Sequence, residues 1–134
     1  MELTVSADRA TARACEDMIV LVLDDDENFR HAVAENLRDD GHTVLECDAP
    51  DRLPPLASLD RVTLVVTDYQ MPSSDGLSFA DAFHATHPRV PIVLVTAEST
   101  PRLDVETAAR SFLRVLRKPV DYGHLHALLH QLSG

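Results

Sequence analysis

The sequence predicts a doubly wound α/β domain, a parallel sheet with helices packed on both faces. Three observations predict it. Short apolar runs recur five times, near 18–23, 43–47, 62–66, 91–95 and 112–116. Segments with apolar residues at a 3.6-residue period stand between them. The run at 18–23 (MIVLVL) is unbroken rather than alternating, as expected of a strand covered on both sides. Strand–helix alternation repeated five times implies parallel strands joined by crossover helices.

The first strand starts at Met18 and stops at Asp24-Asp25-Asp26. A helix follows, with Phe29, Ala32, Val33 and Leu37 on its apolar side, Asp26 as N-cap and Asp40-Gly41 as its end. Residues 43–47 form the second strand. Residues 49–59 are expected to hold a short or distorted second helix, because Pro54-Pro55 would break its interior. The third strand lies in 61–76, RVTLVVTDYQMPSSDG, where an apolar run ends abruptly at Thr67-Asp68 and Met71-Pro72 forbids continuation. Leu77, Phe79, Ala80 and Phe83 mark a third helix to about His84. The fourth strand covers 91–95 and ends at Thr96. Thr100-Pro101 reads as an N-cap followed by proline at the first helical position, opening a helix to about Arg110. The fifth strand, 112–116, ends at Arg117-Lys118-Pro119. Asp121 caps a last helix whose Leu125, Leu128, Leu129 and Leu132 fall at i, i+3, i+4 and i+7.

The 134 residues fit one domain, 18–134, after an extension at 1–17 expected to be flexible or partly helical. At this size a fold buries about two-thirds of its unfolded surface. The net charge of -10 argues against binding nucleic acid through its phosphates and suits a cation or a soluble partner. No apolar run approaches the ~20 residues that span a bilayer. The first 17 residues lack the layout of a secretory signal, so a cytoplasmic location is expected. Cys15 and Cys47 have no ligand or redox spacing and read as reduced bystanders.

Four strands end in charged or reactive side chains: Asp24-Asp25, Asp68, Thr96 and Lys118. In a parallel sheet these ends share one edge, and ligands bind that edge where strand order reverses. Any one of these aspartates alone reads equally well as a solvated loop residue. Three carboxylates on neighbouring loops repel one another unless a hard divalent cation sits among them. Mg2+ suits such a site because it takes few carboxylates and keeps several waters. Lys118 is the only lysine; the other eleven cations are arginines. A compact ammonium on a flexible stem, at a strand end and before a proline, suits an oxyanion or phosphoryl group.

The segments VLVLDDD (20–26), TDYQMPSSDG (67–76), VLVTA (93–97) and VLRKP (115–119) together resemble the receiver domain of two-component response regulators. The resemblance covers roughly 18–132. It implies a flavodoxin-like fold of strand order 2-1-3-4-5 and a switch in signal transduction. Asp68 would be the phosphoacceptor, taking a phosphoryl group from a histidine kinase or histidine phosphotransfer protein and losing it only slowly. Mg2+ would be the cofactor, ligated directly by Asp25, Asp68 and the Gln70 backbone carbonyl, with Asp24 acting mainly through water. Thr96, the Ala97 backbone N–H and Lys118 would hold the phosphoryl oxygens. The Lys118-Pro119 bond would be cis. Thr96 would take part in the switch, and Val115 stands where the family often has its aromatic switch residue. Gln70 and Glu98 resemble the positions that tune phosphoryl lifetime. The downstream protein is not named by the sequence. A homodimer would use the face of the fourth helix, fifth strand and fifth helix.

Two other function classes use similar residues. A haloacid-dehalogenase-like phosphohydrolase would need an acid–base aspartate two residues after the nucleophile, where this chain has Gln70. A degenerate receiver serving only as a protein-binding module would not need the intact acidic pair, Asp68, Thr96 and Lys118. The histidines suggest metal binding less than solvation. His126 and His130 are i, i+4 with His124 near, but no third ligand is evident. His84 and His87 close a helix and are expected to be exposed. Arg102, Arg110, Arg114 and Arg117 read equally as a partner surface or as ordinary solvated charge.

Overall fold

A computed structural model describes residues 18–72 and 74–133. Residues 1–17, the predicted extension with Cys15, lie outside the described part. The elements follow in order: β1 (Ile19–Leu23), α1 (Glu27–Asp39), β2 (Thr43–Cys47), a 3₁₀ turn (Pro50–Arg52), α2 (Leu56–Leu59), β3 (Leu64–Asp68), α3 (Gly76–Thr86), β4 (Ile92–Thr96), α4 (Pro101–Ala108), β5 (Leu113–Arg117) and α5 (Tyr122–Ser133). All strand pairs are parallel, in the order β2-β1-β3-β4-β5. The predicted doubly wound sheet is therefore the observed one.

The period of two along each strand sorts the core into two layers. Val20, Val22, Val66, Val93 and Val95 face one way and pack under α1 and α5, against Val33, Leu37, Leu125 and Leu129. Leu21, Leu23, Val65, Ile92 and Leu94 face the other way, under Leu59, Phe79, Phe83 and Leu103 of α2, α3 and α4. Burial of each such side chain stabilises the fold by about 1.5–3 kcal/mol. This is why the strands are apolar on both faces.

The caps at Asp26, Thr100 and Asp121 match the sequence, and Asp75 adds one that it did not predict. The N–H of Phe29 donates to Asp26, that of Ser78 to Asp75, that of Leu103 to Thr100 and that of His124 to Asp121. Gly41, at φ 98, ends α1 in the left-handed region that glycine enters without strain. On α1, however, Ala32 is exposed and Ala34 is the buried alanine, because Ala34 faces the sheet beside Val33 and Leu37. The prolines divide the second crossover as expected. Pro50 starts a 3₁₀ turn, Pro55 precedes a single helical turn, and Leu56 is left 68% exposed. Among the described residues no helix is long and apolar enough to cross a membrane.

Candidate functional site

The chain leaves β1 for β2 on one side and returns for β3 on the other, so the strand order reverses between β1 and β3. At that reversal the carboxyl ends of two strands diverge and open a crevice. Asp24 and Asp25 follow β1, and Asp68 ends β3. One carboxylate oxygen from each lies within 4.8 Å of the other two. Asp24 is 2% exposed and Asp68 8%, whereas Asp25 faces solvent.

Lys118, just past β5, reaches into this cluster. Its Nζ is 3.2 Å from Asp68 Oδ1 and 3.6 Å from Asp24 Oδ2. The Lys118-Pro119 bond is cis, as the resemblance implies. The Lys118 backbone N–H donates to the Thr96 carbonyl at 2.9 Å, which ties the lysine to the end of β4. Thr96 is buried, and its Oγ1 accepts from the Glu98 N–H at 2.9 Å. Ala97 is exposed beside it. Asp24, Asp25, Asp68, Thr96 and Lys118 therefore converge on one edge, whereas Val115 lies within β5.

Electrostatics follow from burial. Desolvation pushes the Asp24 carboxyl from 3.8 up to about 6, against the pull of the Asp26 N–H, which donates to Oδ1 at 2.9 Å; the Asp68 charge pushes the same way as burial. Asp68 is also raised, first by desolvation, with Lys118 opposing. One ammonium, paired with Asp24 and Asp68, thus stands in a cluster of three carboxylates. An all-oxygen donor set with this excess of negative charge fits a hard divalent cation better than it fits the protein alone.

Several residues around the site carry more than the sequence suggested. Gln70 donates its side-chain N–H to the Glu98 carboxylate, so the two flanking residues join across the site. The Gln70 backbone bridges to Asp75. Arg30 donates to the Asp24 carbonyl at 3.0 Å and to Glu46 at 3.1 Å, anchoring the acidic loop to β2. Glu46 also meets His31 and Arg38; although desolvation raises it, the three basic partners together hold its carboxyl below the usual range. The ring of Phe29 lies 4.4 Å from Lys118 Nζ. Arg117 donates to the Glu98 carbonyl at 2.5 Å and to Asp104 at 3.3 Å, linking the end of β5 to the β4–α4 loop. Arg30 stands six positions after Asp24 and Phe29 lies on the apolar side of α1. Nothing in that spacing marked either as part of the site. Val115 is half-buried on β5, paired with Leu94.

The histidines differ from expectation. His84 stacks on Phe112 at 3.8 Å between ring centroids, and His87 stacks on Phe83 at 4.3 Å and meets Asp60 at 2.9 Å. Both are half-buried rather than exposed, because each covers an aromatic edge of the core. His126 is not simply solvated: it lies 2.6 Å from Asn36 Oδ1 and 2.8 Å from Asp40 Oδ2, joining α5 to the end of α1. The arginines are also engaged. Arg110 makes a two-pronged pair with Asp81, and Arg114 donates to the Ser111 carbonyl. Cys47 is buried and unpaired, with its thiol against the carbonyls of Ala49 and Arg52.

A five-stranded parallel sheet of this order, with an acidic pocket at its point of reversal, defines the class of CheY-like flavodoxin-fold domains. The chain belongs to the response regulator receiver domain family, whose pattern matches residues 20–130. It is 28% identical over 102 residues to the response regulator protein FleR of Pseudomonas aeruginosa, covering 76% of this chain and 22% of that one. It is 29% identical over 115 residues to the DNA-binding transcriptional regulator NtrC of Salmonella typhimurium, covering 84% and 24%. The chain thus spans about a quarter of the length of these relatives. Among solved structures, the chemotaxis response regulator CheY4 of Vibrio cholerae matches with a TM-score of 0.74 and 26% identity, over 87% of this chain and 98% of that one. A response regulator receiver protein from Pseudomonas putida matches with a TM-score of 0.75 and 26% identity, over 86% and 97%. The family is regulatory, acts in two-component systems and binds Mg2+ through an acidic pocket.

Proposed function

We propose that the domain is a phosphoacceptor switch in which Asp68 takes a phosphoryl group from a phosphohistidine of a histidine kinase or phosphotransfer protein. The observation that carries this reading is the placement of Lys118 Nζ 3.2 Å from the Asp68 carboxylate, within a pocket of three acidic side chains. Asp24, Asp25, Asp68 and the Gln70 backbone carbonyl would hold Mg2+, which when bound neutralises charge on the transferring group.

The chain's own residues supply the rest. An Asp68 oxygen donates an electron pair to phosphorus as the phosphorus–nitrogen bond to the donor imidazole breaks. The bonding pair leaves with the imidazole. Lys118 keeps its proton and offsets negative charge on the phosphoryl oxygens, a stabilisation already oriented before reaction. Thr96 Oγ1 stands ready at the end of β4. Turning from the Glu98 N–H toward a phosphoryl oxygen would pull on the β4–α4 loop, and Arg117 would carry that pull to α4. This is a local electrostatic change biasing a surface element. Gln70 has no acid–base chemistry, which favours slow loss of the phosphoryl group over turnover of phosphate esters. The domain is proposed to act in the cytoplasm. Its downstream protein, or a second copy, would dock on the face of α4, β5 and α5, where Val105 is 70% exposed.

The test is amide NMR with beryllium fluoride and Mg2+, on wild type and Asp68→Asn. Wild type is expected to show saturable, Mg2+-dependent shifts at Thr96 and along α4, and the variant none. Equal responses, or no response in either, would overturn the proposal.

A further inference from the structure

The Lys118 ammonium has three donors and sits on a long, flexible stem. Two directions face Asp68 and Asp24. On another side stands the face of the Phe29 ring, its centroid 4.4 Å from Nζ. Phe29 is held firmly. It lies in the first turn of α1, its N–H donates to the Asp26 cap, and its ring packs against the core layer under α1 and α5. An aromatic face carries partial negative charge and attracts a cation over its centre.

We propose that Phe29 is a positioning residue for phosphoryl transfer, its ring holding the Lys118 ammonium against Asp68. This rests on the reading of Asp68 as the phosphoacceptor. The choice of a ring has a physical reason. A carboxylate in that place would attract Lys118 too, but it would add a fourth negative charge to the pocket. It would then compete with Asp68 for the lysine and repel an incoming phosphoryl group. The ring attracts the ammonium with no formal charge. It also shields one side of a side chain that is 26% exposed, where water would otherwise compete. A stem restrained beforehand loses less rotamer freedom when the phosphoryl group arrives. An aliphatic residue would fill the space without supplying this attraction.

The full chain is labelled with acetyl phosphate or phosphoramidate in the presence of Mg2+, which needs no kinase. Wild type is compared with Phe29→Leu, with Phe29→Tyr and with pentafluorophenylalanine at position 29. Thermal unfolding reports packing, and the NMR shift of the Lys118 ε-methylene protons reports their position over the ring. Leu and the fluorinated ring are expected to slow labelling about three- to tenfold. Leu should also remove the upfield ring-current shift, and Tyr should keep both the rate and the shift near wild type. The proposal is overturned if Leu and the fluorinated ring label as fast as wild type, or if wild type shows no ring-current shift. Losses that track unfolding temperature across all three variants would likewise assign Phe29 to packing alone. If wild type takes no label from either donor, the phosphoacceptor reading itself fails. A wild type that labels while Leu labels equally fast removes only the role of Phe29.

Discussion

Asp24→Asn is expected to stabilise the metal-free domain at pH 7, by up to about 3 kcal/mol, while weakening its hold on a divalent cation. The cause is the burial of Asp24, which lifts its carboxyl from 3.8 to about 6 in the folded chain. Between those values the folded state binds more protons than the unfolded one, so stability falls as pH rises through the window. Above about pH 6 the whole penalty is present, and below 3.8 it is gone. Asparagine keeps an acceptor for the Asp26 N–H but carries no charge to desolvate. Part of the gain is offset because Lys118 loses one of its two carboxylate partners. Urea unfolding at pH 7 and pH 5, with and without Mg2+, checks this. The difference between variant and wild type should be large at pH 7 and shrink toward pH 5. Titrations elsewhere, such as those of Glu46 and Asp81, cancel in that difference because both proteins share them. Mg2+ should raise wild-type stability by mass action at pH 7, and less at pH 5, where protons compete for the carboxylates. A variant no more stable than wild type at pH 7 would show that Asp24 is not under this strain. On this expectation the pocket gives up stability to hold charge that Lys118 and the Asp26 N–H offset only in part.

Local rules decide strands and caps, so the unbroken run before Asp24, the Asp26, Thr100 and Asp121 caps and the turn at Gly41 all stand where expected. The residues at the strand ends were legible for the same reason, since a parallel sheet brings them to one edge whatever the helices do. Contacts between elements distant in sequence were not. His126 looks solvated on a helical projection because its partners come from far earlier in the chain, Asn36 of α1, 90 residues before it, and Asp40 at the end of that helix. Phe29 reads as one more apolar residue on α1, and its contact with Lys118 appears only once β5 is beside the pocket. Arg117 and Glu98 likewise meet only across adjacent strand ends. The second crossover shows the limit of composition. Its prolines announce an interruption, but not that the helix keeps only Leu56–Leu59 and leaves Leu56 in solvent.

Gly76→Ala is expected to destabilise the domain by about 3 kcal/mol, lowering its unfolding temperature by on the order of 10 °C. A Cβ at this position would lie 2.3 Å from the Asp68 carbonyl oxygen, 2.7 Å from Leu94 Cδ1 and 3.0 Å from the Tyr69 Cα. Leu94 could turn aside, but two of the three obstacles are backbone, and the Gly76 N–H already donates to the Tyr69 carbonyl at 2.7 Å. Relief therefore requires α3 to back away from the end of β3, and the segment carrying Asp68 moves with it. The loss should be functional as well as structural. Residual folded protein should bind beryllium fluoride more weakly, because a misplacement near 1 Å at a reacting group is enough to slow transfer about a hundredfold. Gly41→Ala is the control. A Cβ there meets nothing within 4 Å, and only its φ of 98 opposes the change. That costs about 1 kcal/mol and should leave beryllium fluoride binding untouched. If the two substitutions proved equally mild, the close approach at Gly76 would not be what holds Asp68 in place. If Gly76→Ala alone lost both stability and binding, the reason for glycine in the Asp75-Gly76 pair would be clear. It is the gap through which the first turn of α3 reaches the backbone of Asp68.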